Sequence, residues 1–413
     1  MKTPFHCPYS QSKQLQQALA SDKAKVAFLL GAGCPVSIDV PDEHGGTRPL
    51  IPDIRGLTKK INDELKSSEG FKAHYASLLS RFSGGDPAKP TIEDILSHIR
   101  ALHDVVRNGS IDDLDKGALE ALDTEICRIT TTVVGVDLPE GNTPYQQLAT
   151  WIRGIPRAHP VEVFTPNYDL LMEQALEVCK IPYFDGFVGS RQAFFDLTAM
   201  ESDSLPPRWT RLWKVHGSVN WWRQRVGISS EEFEVVRTEK RSADGRQMIY
   251  PSHLKYDQSR RLPYLAMLDR LRDFLARGQA VLVTSGYSFG DQHLNEVILH
   301  GLRSNPTAIC FGLLFGARSA YVEALTKAQT HPNLSLLAED GAVLGTLEQN
   351  WRVGELADHP MHGISVAKAE PQTIEGEPPK SCKFLLGDFK HLGGFLAQQL
   401  SREDEKQENS SAS

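Results

Sequence analysis

No stretch of about 18 consecutive apolar residues occurs in this sequence, which excludes a membrane-spanning helix of ordinary length. The opening MKTPFHCPYSQSKQL lacks the apolar centre of a secretion signal, so a cytoplasmic location is expected. No C-x-x-C is present. The six cysteines stand apart at 7, 34, 127, 179, 310 and 382, which argues against cysteine-held zinc and for free thiols in a reducing compartment. No metal is expected. The glycine turn at 31–33 lacks the third glycine of G-x-G-x-x-G, because Val36 stands there, and no Walker A lysine follows it. Neither sign of charge dominates. Lys+Arg 45 against Asp+Glu 52 gives −7, which argues against whole-chain wrapping of nucleic acid and leaves such contact indirect at most.

What is present is a soluble-type composition on a long chain. The 413 residues are 40% hydrophobic and 23% charged, enough to bury a core without staples. The length predicts one large domain with a smaller module. A polar extension over 1–24 holds a short helix near Ser12–Ser21. Lys25–Leu30 is a short apolar run ending in Gly31-Ala32-Gly33, the pattern of a buried strand entering a tight turn. Residues 35–55 are Pro-rich and loop-like. Near-helical recurrence of Ile61, Leu65, Tyr75, Ile95 and Ile99 predicts a helical insertion over 56–150 within the domain. Strands at 161–165, 211–215, 280–284, 309–314 and 334–337 alternate with helices at 169–178, 263–277, 292–302 and 319–328. That alternation predicts an α/β fold, a Rossmann-like parallel sheet with helices on both faces, spanning 25–345. Residues 346–400 read as a linker and last helix, and 401–413 as a disordered polar tail.

Five motifs fall at expected strand ends or adjoining loops, where ligands of such sheets bind. Gly31-Ala32-Gly33-Cys34 suits close approach to a pyrophosphate beside a helix N-terminus, or is a plain strand-to-helix turn. Asp53 and Arg55, in Pro52-Asp53-Ile54-Arg55-Gly56, suit closure over a phosphate or ribose, or an exposed turn. Asn167 and Asp169, in Thr165-Pro166-Asn167-Tyr168-Asp169, suit a held water or ribose hydroxyl and a carboxamide partner, or a helix cap. His216, in Lys214-Val215-His216-Gly217-Ser218, suits a general base near neutral pH, or is a structural histidine. Thr284, Ser285, Gly286 and Asp291, in the run to Asn295, suit phosphate or ribose contact, with capping an equal reading for Asp291.

The order GAGC, IPDIRG, TPNYD, KVHGS, TSGYSFGDQHLN resembles the sirtuins. More narrowly it resembles bacterial sirtuin-like NAD hydrolases of antiviral defence, including those encoded beside a HerA-type ATPase. The resemblance covers about residues 25–345. It implies that Gly31, Ala32, Gly33 and Cys34 form the dinucleotide turn and that Asp53 and Arg55 belong to the mobile cofactor loop. It implies that Asn167 positions ribose or attacking water, that Asp169 faces the carboxamide, and that His216 is the catalytic base. Thr284 and Ser285 match a Thr-Ser pair beside the cofactor. The chain departs from deacylases in lacking the four-cysteine zinc module, in Ile54 where an aromatic is usual, in Pro166 in place of a ribose-contacting Gln, and in Val283 where Gly is usual. The reading that follows is an NAD+ glycohydrolase, with NAD+ as substrate, acting in abortive antiphage defence. Its implied partners are further copies of itself and an ATPase. A non-catalytic NAD or ADP-ribose sensor, a deacylase and an ADP-ribosyltransferase remain alternatives.

Overall fold

The computed structural model describes residues 5–82, 90–106, 109–202, 204–226, 233–239, 246–249, 263–352, 361–368 and 382–411, with only the backbone at 246–249 and 401–411. Its centre is a nine-stranded mixed sheet of mostly parallel strands flanked by helices. The spatial order is Leu347–Asn350, Gly341–Leu344, Leu334–Leu337, Ala308–Leu313, Ala280–Ser285, Lys25–Leu30, Glu162–Thr165, Thr210–Lys214, Tyr183–Phe184. Lys25–Leu30 pairs in parallel with Ala280–Ser285 on one side and Glu162–Thr165 on the other. From that first strand the chain builds outward to Tyr183–Phe184 and Thr210–Lys214, then returns to build the other half. The strand order therefore reverses about Lys25–Leu30, and the crevice belongs at its C-terminal end. Continuous apolar runs make these strands. Ala27, Phe28 and Leu29 are fully covered, as expected of a sheet with helices on both faces.

Three differences from the sequence reading have physical reasons. The sheet is not wholly parallel. Gly341–Leu344 and Leu347–Asn350 add antiparallel strands at one edge, joined by Gly345 and Thr346 at φ 52 and 76. Both central residues at positive φ define the tight hairpin turn whose twist fits its strands, and Gly-Thr is a faint signal for it. The sheet thus runs past 345. A second, five-stranded antiparallel sheet also went unread. It comprises Phe187–Val188, Ala193–Phe195, Gly217–Arg225, Phe233–Arg237 and Arg246–Ile249. Its two-to-nine-residue strands carry mixed polarity and lack a clean period. Finally, the last helix is Phe389–Ser411, so the backbone of 401–411 is helical where a disordered tail was expected. Its Glu, Lys and Gln residues are good helix formers as well as polar ones. Positions 412–413, residues 83–89 within the helical insertion, and most of 353–381 lie outside the described residues.

The helical segment comprises Ile54–Ser67, Lys72–Leu79, Ile92–Val105 and Lys116–Val134. In the first, Leu57, Ile61 and Leu65 recur every four residues and are buried, while Lys59, Lys60, Asp63 and Glu64 face water. The helix Pro144–Gly154 is capped by a reciprocal Thr143–Gln146 pair and packs on the last helix. There Tyr145 meets Phe389 edge-on at 5.0 Å and Trp151 Nε1 donates to Gln399 Oε1 at 3.2 Å. The leading helix, Pro8–Ala20, buries Leu15 and Leu19 completely, so it is part of the packed body.

At the crevice two turns touch backbone to backbone. Gly31 N–H donates to Ser285 O and Gly33 N–H to Gly286 O, each at 2.9 Å. A Cβ on Gly31 would overlap the Gly286 carbonyl, one on Gly33 would lie 2.7 Å from Gly286 Cα, and Gly286 itself has φ +63. Gly31→Ala is expected to cost about 1–3 kcal/mol, the usual range for overpacking, read as a lower urea midpoint. An unchanged midpoint would contradict the close packing.

Candidate active site

The loops after four neighbouring strands surround one cavity of about 580 Å³, within the range of about 300–1,000 Å³ typical of small-molecule sites. Its apolar lining includes Ile51, Pro52, Ile54, Leu57 and Pro166. Its polar lining includes Glu93, Asn167, Asp169, His216 and Asp291.

Asn167 follows the strand Glu162–Thr165. Its backbone N–H donates to Thr165 Oγ1 at 3.0 Å, and its Nδ2 donates to Gly31 O at 3.1 Å, so the side chain is tied to the glycine turn. His216 sits where the strand Thr210–Lys214 of the large sheet passes into Gly217–Arg225 of the small one. Gly217 at φ 97 makes that corner. His216 Nε2 lies 3.0 Å from Asp291 Oδ2. Asp291 also caps the helix Gln292–Ser304, its Oδ1 accepting from Leu294 N–H at 3.0 Å. The capping reading of Asp291 therefore holds, with its other oxygen on His216. Burial pushes its carboxyl up, but the bond from His216 and that residue's charge outweigh burial and hold it below the ordinary range.

Asp169 lines the cavity and accepts from Leu171 N–H at 3.1 Å. Burial raises its carboxyl to about 6, against the opposing charge of Lys214. That lysine is itself buried, bonds the Asp169 carbonyl and sits 3.0 Å from Glu173 Oε1. The helical segment also reaches the cavity. Glu93 Oε1 accepts from Tyr168 OH at 2.7 Å. Burial, with Asp291 and Asp94, pushes the Glu93 carboxyl up, while His216 and the Tyr168 bond pull it back.

The structure thus brings Gly31, Ala32, Asn167, Asp169, His216, Gly286 and Asp291 to one cavity. Other expected cofactor contacts lie elsewhere. Thr284 and Ser285 are completely buried beneath the floor, and Cys34 is buried with its thiol donating to Ser285 O at 3.2 Å. Burial pushes that thiol up, so it stays protonated. Gly33 and Cys34 spend their N–H groups on Gly286 O and Gly31 O rather than presenting them to a pyrophosphate. Asp53 and Arg55 are exposed and do not line the cavity. Asp53 caps the helix Ile54–Ser67, accepting from Gly56 N–H at 2.8 Å, which points its neighbours Pro52 and Ile54 inward instead. Asn295 is a strut, donating to Phe289 O at 2.7 Å and accepting from Tyr287 OH at 2.9 Å. Sequence reasoning missed Glu93 and the pairing of Asp291 with His216. The only trace of Glu93 is a second carboxylate beside the capping Asp94, and its approach to the crevice is tertiary.

This mostly parallel sheet, with a crevice at the point of strand reversal and helices on both faces, defines an α/β protein of Rossmann-like fold. Residues 161–329, which include Asn167, His216 and Asp291, match the SIR2-like domain. No curated protein matches the sequence significantly. Among solved structures, a Sir2 homolog–NAD complex overlays with a TM-score of 0.37 at 16% identity, covering 75% of this chain and 85% of that one. A mutant Sir2 homologue bound to ADP-ribose gives 0.33 at 15%, covering 75% and 88%. Among the described residues no group of three or more His, Cys, Asp and Glu side chains is placed to hold a metal, and no helix is long and apolar enough to cross a membrane.

Asp169 gives a pH test. Its carboxyl is raised to about 6 in the fold against about 3.9 in an unfolded chain. The folded state therefore holds the proton more tightly. The stability this lends is complete below about pH 3.9 and lost as pH rises through about 6. The parent should lose stability relative to Asp169→Asn over that window, measured by urea unfolding at several pH values. Parallel curves would contradict the burial of the charge.

Proposed function

We propose that this chain is an NAD+ glycohydrolase that releases nicotinamide and ADP-ribose. The observation that carries the reading is the His216–Asp291 pair facing the same cavity as Asn167, within the SIR2-like segment. The apolar lining at Ile51, Pro52 and Ile54 offers a dry wall for flat rings, and the polar rim offers partners for ribose hydroxyls.

The chemistry asks little acid catalysis of the protein. The C1′–N bond breaks and its electron pair leaves with nicotinamide, which becomes neutral, so no proton needs to be supplied to it. The sugar passes through an oxocarbenium-like state. Asn167, its amide held by Gly31, orients the ribose or the water. The water oxygen bonds C1′ and its proton passes to His216, whose charged form Asp291 stabilises. Asp169 faces the carboxamide, where a carboxyl raised to about 6 by burial exchanges hydrogen bonds readily. Pro166 and Ile54, in place of polar and aromatic groups, favour water over a peptide as acceptor.

At the level of the cell, the proposed role is antiphage defence by NAD+ depletion. Such an enzyme must be silent until triggered, so the reading includes regulation through assembly with copies of itself and a HerA-type ATPase.

His216→Ala is expected to lower kcat by about 10²–10⁴-fold, the range for a lost general base, with nicotinamide release followed by chromatography. Cleavage at the parental rate would remove His216 from the mechanism.

A further inference from the structure

The hydrolysis described above uses no polar residue of the helical segment, yet Glu93 from that segment lines the cavity. Its placement is built. Thr91 caps the helix Ile92–Val105, and Asp94 completes the reciprocal cap, so Glu93 has no capping duty. Ile92 and Ile95 on either side of it are buried, and Ile92 N–H donates to Thr58 Oγ1 at 2.9 Å, which locks the helix start to the preceding helix Ile54–Ser67. Glu93 Oε1 accepts from Tyr168 OH at 2.7 Å, and among the described residues no hydrogen bond reaches Oε2.

Glu93 is partly covered, and a carboxylate with one oxygen that accepts no hydrogen bond among the described residues is suited to take a donor from a ligand. The groups facing it are Tyr168, His216, Asp291 and Asp94. Burial and the two acidic neighbours keep the carboxyl above its ordinary range although His216 and the Tyr168 bond relieve it in part, so the protein does not offset it fully. A ligand with hydroxyls and positive charge does. NAD+ has both at its nicotinamide ribose, and the positive charge moves onto the sugar ring as the C1′–N bond breaks.

Resting on the hydrolase reading, we propose that Glu93 is a further catalytic residue, its free carboxylate oxygen accepting a ribose hydroxyl and its charge stabilising the oxocarbenium-like sugar. The bond order is unchanged by Glu93 itself. It forms no covalent link, and the proton of the attacking water still goes to His216. The helical segment is then a wall of the active site, and its seating is a condition for turnover.

Glu93→Gln keeps the shape and removes the charge. It is expected to lower kcat by about 10²–10³-fold, the range for losing one preorganised electrostatic group. Binding of ADP-ribose, which lacks the positive charge, should weaken by no more than about tenfold, the worth of one neutral hydrogen bond, measured by calorimetry. Tyr168→Phe leaves the carboxyl in place and should lower kcat by about tenfold or less. If Glu93→Gln fails to fold, Glu93→Asp decides the matter: it keeps the charge but draws it back from the sugar, so kcat should fall by about tenfold or more with ADP-ribose binding little changed, and a parental kcat overturns the proposal. NAD+ cleavage by parent and Glu93→Gln at equal rates also overturns it and leaves the hydrolase reading standing. A parent that leaves NAD+ intact, alone and with an ATPase partner, overturns that reading and this proposal together.

Discussion

The closeness of two backbone turns sets the geometry of the whole crevice. Gly31 and Gly33 lie against Gly286 with no side chain between them, joined by hydrogen bonds of 2.9 Å. Any Cβ here would push apart the two central strands at their C-terminal ends. With the turns in contact, Asn167 on the next strand reaches Gly31 O, and Asp291 beyond Gly286 reaches His216. Four chain segments distant in sequence then meet around one cavity. The glycines act first as packing elements, and they serve the ligand by holding the walls at the right separation.

A division of labour follows between floor and rim. Cys34, Thr284 and Ser285 are covered and lie beneath the floor. The titratable groups stand on the rim, where their environments push them apart. Asp291 is held ionised by His216, while Asp169 and Glu93 are shifted upward by burial. Asp291 also shows how one residue serves two tasks. One oxygen caps a helix and fixes the side chain, and the other holds the histidine.

The parallel strands were legible because each is an apolar run bounded by turn residues, as in Lys25–Leu30 and Ala280–Ser285. From them the strand-end positions of Asn167 and His216 followed. The small antiparallel sheet was not legible, since strands such as Phe187–Val188 are too short to show a period. That Asp53 caps a helix and stands with Arg55 outside the cavity lining was not legible, because a capping aspartate and a ligand aspartate look alike in sequence. Glu93 was invisible for a related reason. It belongs to a helix whose local signals are complete without it, and only the packing of that helix against the crevice brings it to Tyr168.

The most direct test of the account is the fate of NAD+ when no acyl acceptor is present. The purified chain, alone and with an ATPase partner, would be incubated with NAD+ and the products separated by chromatography, with an acetyl-lysine peptide added in a parallel reaction. The account predicts nicotinamide and free ADP-ribose in equal amounts, whether or not the peptide is there. Cleavage only in the presence of the peptide, or NAD+ intact under every condition, would contradict it.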